Sequence, residues 1–238
     1  MQIDNRRALV VGGSGGIGRE IADLFAQSGA SVVVADRAAA PDGSHKHVGI
    51  DVTDEASVRR AIAEAREILG GDIEILVNSA GILSQCYAEE MTLEEWRRTI
   101  DVDLTGVFLV SREVVGPMAA QGWGRIINIA SQLGIKGAPM MTHYAAAKAG
   151  VIAFTKSLAL EVSGRGVLVN AIAPGPIDTQ LSSDLDPEWR AKKISELPIG
   201  RFGKPAEVAP SALLLASEPG GNLYTGQTLG PNSGDVMQ

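Results

Sequence analysis

Two apolar patterns alternate along the chain. Short unbroken runs, "ALVV" (8–11), "SVVVAD" (31–36), "HVGI" (47–50), "IEILVN" (73–78), "RIINIA" (125–130) and "VLVNAIA" (167–173), read as buried strands. Elsewhere apolar residues recur every three or four positions, as Ile17, Ile21, Leu24 and Phe25 do. That spacing predicts helices, one following the glycines at 12–18 and others over 54–69, 92–120 and 142–163. Strands that are Val, Ile and Leu almost throughout are covered on both faces, and strands joined by helices pair in parallel. The pattern therefore predicts an α/β protein with a doubly wound parallel sheet. No repeat, low-complexity tract or linker interrupts it, so residues 1–238 read as one domain. One connection is irregular. Only 14 residues separate Asp36 from Asp51, with Pro and Gly among them, which leaves room for a loop or one turn but not a crossover helix.

The first strand runs directly into "GGSGGIG" (12–18). Glycine there permits a tight turn and lets a pyrophosphate approach the backbone at a helix N-terminus, where N–H groups and the helix dipole favour anions. Gly12, Gly16 and Gly18, with Ser14 and Ile17 between them, are thus candidate cofactor-binding residues. Asp36 closes the second strand, 18 residues after Gly18, where a carboxylate accepts both ribose hydroxyls of an adenosine and repels a 2′-phosphate. Asp36 predicts NAD over NADP; Arg37 beside it is the feature that would serve NADP.

"THYAAAKAG" (142–150) places Tyr144 and Lys148 one helical turn apart among alanines and a glycine. Alone, the pair is either an exposed aromatic–cation contact or a base with its activator. A phenol of ordinary pKa near 10 is a poor base at neutral pH. Two unit charges 4 Å apart at an effective dielectric of 20 attract by about 4 kcal/mol, so the ammonium is able to lower the phenol by about three units before its own desolvation is counted.

Composition narrows the partners. A net charge of −7 over 238 residues argues against nucleic acid and anionic membranes. No 18-residue apolar run occurs and no basic, then apolar, leader opens the chain, so a cytoplasmic protein is expected. The single cysteine, Cys86, leaves no internal disulfide.

Taken together, the glycine loop, Asp36, "NSAG" (78–81), Ser131 and "YAAAK" (144–148) resemble the short-chain dehydrogenase/reductase family, from the first strand to "YTGQTL" (224–229). The resemblance implies a single-domain Rossmann fold of about seven strands and an oxidoreductase that moves a hydride between NAD(H) and a secondary alcohol or ketone. It implies that Asn78, Ala80 and Gly81 support the sheet and pass the adenosine side of the cofactor, and that Asp51 and Val52 flank the adenine. Pro174 and Gly175 match the family's Pro-Gly segment, with Ile177 and Thr179 holding the nicotinamide carboxamide. Ser131, Tyr144 and Lys148 match the catalytic serine, tyrosine and lysine, the serine 13 residues before the tyrosine. On this reading Lys148 also binds the nicotinamide ribose, and the small residues around it make room for the cofactor.

Three departures accompany the match. Val11 stands where a threonine normally precedes Gly12, Asp103 stands for the fourth catalytic residue, an asparagine, and "PNSG" (231–234) replaces an ending with two glycines. In the family that asparagine kinks its helix, and an aspartate of nearly the same shape implies the same kink at Asp103. Ionised, Asp103 is expected to oppose the field of Lys148 and raise the tyrosine's pKa. Buried and protonated, it would imitate the asparagine. The substrate-facing positions implied are Gln132, Leu133, Met140, Met141 and Pro176, under a lid at about 180–200 carrying Leu185 and Trp189. Their apolar character favours a ketone or alcohol with an apolar body. The alternative is a 3-oxoacyl (acyl-carrier-protein or CoA) reductase, of whose two carrier-binding arginines the chain keeps Arg165 but has Gly122 at the other place. The resemblance also implies a homotetramer. His45 and His47 lack a third ligand of matching geometry and read as solvated rather than metal-binding; His143 reads as structural or pocket-lining.

Overall fold

The computed structural model describes residues 1–40, 42–179 and 187–237. Its strands are β1 (Arg7–Val11), β2 (Ser31–Asp36), β3 (Lys46–Gly49), β4 (Ile75–Asn78), β5 (Gly124–Ile129), β6 (Val167–Ile172) and β7 (Thr228–Leu229). They form one sheet in the order β3-β2-β1-β4-β5-β6-β7, and every pair is parallel. The helices are α1 (Gly16–Gln27), α2 (Glu55–Leu69), α3 (Leu93–Ile100), α4 (Gly106–Gln121), α5 (Leu133–Lys136), α6 (Thr142–Val162), α7 (Pro187–Glu196) and α8 (Pro205–Ala216). As the spacing between Asp36 and Asp51 requires, β2 reaches β3 without a helix.

Alternate strand residues feed two cores, which is why the strands are apolar throughout. Leu9, Val33, Leu76, Ile126 and Val169 pack with residues of α2, α4 and α6 on one face. Val10, Val34, Ile75, Ile127 and Ile172 pack with α1 and α8 on the other. Each such side chain, fully buried, contributes about 1.5–3 kcal/mol. Strand order reverses between β1 and β4, so the crevice between them opens at their C-terminal ends, where "GGSGGIG" and "NSAG" follow.

The segment over 92–120, expected as one helix, is broken. Asp101–Thr105 form a π-helical turn between α3 and α4, with the Gly106 N–H donating to the Asp101 carbonyl. The extra residue per turn carries Asp103 inward, where it is wholly buried.

Beneath the crevice a chain of buried amides ties the sheet together. Asn78 donates to Asn128 at 2.9 Å and to the Ser111 hydroxyl at 3.1 Å, and Asn128 donates to Thr155 of α6 at 2.9 Å. Asn78→Ala strips the donor from the Asn128 oxygen and is expected to cost about 1–3 kcal/mol. At this chain length that lowers the melting temperature by about 2–4 °C per kcal/mol, measurable by thermal denaturation followed by circular dichroism.

Candidate active site

A cavity of about 1350 Å³ occupies the C-terminal edge of the sheet. At one end it is lined by Gly12, Ser14, Gly16, Ile17, Asp36, Arg37, Asp51 and Val52, then by Ala80 and Gly81. At the other stand Asp103, Ser131, Tyr144 and Lys148; Pro174, Gly175 and Ile177 also line it, and Thr179 lies over the glycine loop, 3.6 Å from where a Gly16 Cβ would be. Two residues assigned to the cofactor from sequence are not on its wall. Asn78 lies below, in the amide chain, and Gly18 is a packing residue: a Cβ there would meet the Gly12 carbonyl at 2.2 Å. Gly12 is required twice over, since its φ is +76° and a Cβ would lie 2.4 Å from the Ala80 nitrogen.

The loop fits an anionic group. The cap of α1 is Gly15, no side chain caps its first N–H groups, and no acid stands in its first turn. In α2 and α3, by contrast, Asp54 and Thr92 occupy those groups. Nothing lies within 4 Å of where a Gly15 Cβ would be. The uncapped donors and the dipole thus face open space suited to a phosphate. Farther along, Asp36 is held by the Ser14 N–H at 3.1 Å and the Arg37 N–H at 2.8 Å, and the Asp51 carboxylate by Thr53. Those Thr53 bonds keep Asp51 below the usual carboxylate range. His45 pairs with Asp23 at 2.6 Å, and His47 reaches the Asp36 carbonyl.

At the opposite end the sequence pair on α6 is brought to the end of β5. The Lys148 Nζ sits 5.6 Å from the centre of the Tyr144 ring. It donates to the Ile129 carbonyl at 3.1 Å and forms an ion pair with Asp103 at 3.2 Å. The other Asp103 oxygen accepts the Ile82 N–H at 2.9 Å. Gly81 keeps the space clear: a Cβ on it would lie 3.0 Å from Asp103 and 3.4 Å from the ammonium. Ser131, directly after β5, accepts the Leu133 N–H at 3.1 Å, which leaves its own O–H to donate.

The electrostatics differ from the simple pair. Burial pushes the Tyr144 phenol above its ordinary value; Lys148 and Ser131 pull it down, and Asp103 pushes it up again. The net direction is upward, opposite to what the lysine alone would give. Burial works against the Lys148 ammonium, but Asp103 and Tyr144 outweigh it and hold its pKa above the ordinary value. His143 is buried beside them, bonded to Ser84 at 2.8 Å, and burial holds it below the usual histidine range.

Sequence reasoning missed the Ile129 carbonyl and the Ile82 N–H, backbone groups that no residue type announces. It also missed Asp235, which the fold brings against Gln132, Lys136 of α5 and Lys193 of α7. Of the expected lid, Trp189 lines the cavity, whereas 180–186, with Leu185, lie outside the described residues.

With this geometry in view, the comparisons are specific. The model of a family described as enoyl-(acyl carrier protein) reductase matches residues 12–234. The chain belongs to the short-chain dehydrogenase/reductase family. That membership makes it an oxidoreductase and implies a nicotinamide cofactor. It is 40% identical over 245 residues, spanning all of both chains, to the 3-oxoacyl-(acyl-carrier-protein) reductase FabG of Vibrio harveyi. It is 38% identical over 247 residues, again the whole of both, to FabG of Escherichia coli K12. The crystal structure of gox2181 superposes with a TM-score of 0.89 at 34% identity, covering 98% of this chain and 96% of that one. Among the described residues, no helix is long and apolar enough to cross a membrane.

The Lys148–Asp103 pair makes a stability prediction. Asp103→Ala leaves a buried ammonium with one carbonyl partner, a loss of about 3–5 kcal/mol. Because Lys148 is held above 10.5, the pair's contribution is fully present at neutral pH and fades only as pH rises through that raised value. Urea unfolding at pH 7 should therefore show a clear fall in midpoint with an unchanged slope.

Proposed function

We propose that this protein reduces a 3-oxoacyl thioester to the 3-hydroxyacyl thioester, using NADH. The observation that carries the chemistry is the group Ser131, Tyr144 and Lys148 at one end of a single cavity whose other end carries Asp36. The thioester class is supported by the names of the full-length relatives, which favour it over the plain apolar ketone suggested by Leu133, Met140 and Met141.

When bound, the nicotinamide ring supplies the hydride that the keto carbon receives. Ser131 donates a hydrogen bond to the keto oxygen and holds it toward Tyr144. Tyr144 gives its hydroxyl proton to that oxygen as the carbon is reduced. A phenol raised by burial and by Asp103 is protonated at neutral pH, which suits the acid of a reductase better than the base of a dehydrogenase. Lys148 stabilises the phenolate left behind and offers an N–H to the nicotinamide ribose. Gly12, Ser14, Gly16 and Ile17 cradle the pyrophosphate, Asp36 takes the adenosine ribose, Asp51 and Val52 flank the adenine, and Ile177 and Thr179 meet the carboxamide. Residues 187–200, with Trp189 on the cavity wall, serve as the described part of the lid. The assembly is a homotetramer, consistent with apolar side chains exposed on α4 and α6, namely Phe108 at 43% and Leu160 at 89%.

The direct test follows NADH oxidation with 3-oxobutanoyl-CoA. Turnover should exceed that with NADPH, because a 2′-phosphate meets the Asp36 carboxylate; Asp36→Ala should narrow the gap. Tyr144→Phe should reduce turnover to a few per cent or less while NADH binding survives. Comparable efficiency with NADPH in the unaltered protein sinks the cofactor assignment, and an active Tyr144→Phe sinks the mechanism.

A pH prediction follows from the charge beside Lys148. In the reverse direction Tyr144 must lose its proton, so 3-hydroxyacyl oxidation rises with pH through the phenol's pKa. Asp103 raises that pKa, so Asp103→Asn lowers it and moves the acid limb of the profile toward acid. A limb that stays in place or moves to higher pH rules out Asp103 as a determinant of the phenol.

A further inference from the structure

Asp235 follows the "PNSG" departure directly, and its side chain is 8% exposed. The turn before it is tight: Ser233 has a φ of +58° and Gly234 one of +82°, so a residue other than glycine holds a left-handed conformation. Asn232 fastens it, its Oδ1 accepting the Gly234 N–H at 3.0 Å and its Nδ2 donating to the Val236 carbonyl at 2.8 Å. The turn packs on the residues that follow α7. There the Ile199 N–H donates to the Ser233 carbonyl at 3.2 Å, and a Cβ on Gly234 would meet Pro198 at 2.8 Å.

So placed, one carboxylate takes donors from two parts of the cavity wall. Its Oδ2 accepts Gln132 Nε2 at 2.5 Å and Lys136 Nζ at 2.7 Å, and its Oδ1 accepts Lys193 Nζ at 2.8 Å. All three donors line the cavity, Gln132 just after Ser131, Lys136 at the end of α5 and Lys193 on α7. The other acceptor of Lys193, Glu196 at 3.4 Å, is on the same helix and ties nothing across. Burial works against the Asp235 carboxylate, yet the two ammoniums and Gln132 keep it below its ordinary value.

We propose that Asp235 is a positioning residue for the substrate, clasping 132–136 to α7 so that the substrate wall is set before substrate binds. The inference rests on the reductase reading and deepens it. A wall ordered in advance spares the substrate the cost of ordering it, so loss of the clasp weakens substrate binding. Ser131 is held separately. Its hydroxyl accepts the Leu133 N–H, and the neighbouring Gln132 N–H donates to the Pro174 carbonyl at 3.0 Å. The chemical step and the cofactor end therefore do not depend on the clasp.

Asp235→Asn keeps the shape, removes the charge and turns an amide N–H toward donors that an oxygen accepted. KM for 3-oxobutanoyl-CoA should rise about tenfold, while kcat changes far less and the NADH Kd, from fluorescence titration, stays in place. Amide exchange followed by mass spectrometry should quicken over α5 and α7 and not over β1 and α1. Lys193→Met should raise KM by itself but add little on top of Asp235→Asn, since both break one contact. An unchanged KM, an equal loss of NADH affinity, unchanged exchange, or additive effects of the two substitutions overturns the inference and leaves the reductase reading intact. An unaltered protein that does not reduce 3-oxobutanoyl-CoA overturns the reading and the substrate role together, and the exchange still shows whether Asp235 holds the wall.

Discussion

The ammonium of Lys148 is buried, and the site is organised around meeting its needs. A charge taken from water must find partners or give up its proton. Here the partners come from three separate places: Asp103 from the π turn, the Ile129 carbonyl from the end of β5, and the Tyr144 ring from the same helix. Asp103 reaches because the helix widens into a π turn at Asp101–Thr105, and it stays in place because the Ile82 N–H bonds its second oxygen. Glycine at 81 leaves the pair its room, since a Cβ there would press on Asp103 at 3.0 Å and touch the ammonium at 3.4 Å. The fold's least typical features, a π turn and a tightly packed glycine, thus trace to one cation.

The same cation sets the direction of the chemistry less simply than a tyrosine–lysine pair suggests. A phenol near a lone ammonium is driven toward phenolate. Burial and Asp103 reverse that, and the phenol keeps its proton. An asparagine at position 103 would fill the same space without the charge. The aspartate therefore trades base strength in Tyr144 for a firmer hold on Lys148. The charge balance around the lysine, and not the tyrosine–lysine spacing alone, sets the state of the phenol.

How legible these features were depended on the range of the interaction. The strands were plain because burial on both faces makes every position apolar, and the loop at 12–18 because glycine alone tolerates its turn. Tyr144 and Lys148 were plain because four residues on a helix fix their relation. The break at Asp101–Thr105 was not plain from the residues, since "DVDLTG" carries no proline and keeps good helical spacing; only the family resemblance, through the kink it implies at Asp103, pointed there. Helix α8 passed unread because its apolar residues run almost continuously and show little periodicity, although Pro205 marks its first turn. The rise of the Tyr144 pKa needed the burial of its surroundings, a tertiary quantity.

This contrast divides the cavity itself. The end that carries the glycine loop, Asp36 and Asp51 is built from segments close to β1, β2 and β3 and held by bonds such as Ser14 to Asp36 and Thr53 to Asp51. Local bonds of that kind are fixed by the nearby sequence. The substrate end is closed by Asp235, 103 positions away from the Gln132 it holds. Its partners Lys136 and Lys193 lie on short helices packed at the rim, not in either core of the sheet. Residues there change without disturbing strand packing, because no core side chain depends on them. Tyr144 and Lys148 sit on α6 and Asp103 in the π turn, packed on the sheet. Asp235, by contrast, holds side chains of the loop after β5 and of two short helices at the rim, so the two groups are physically separable.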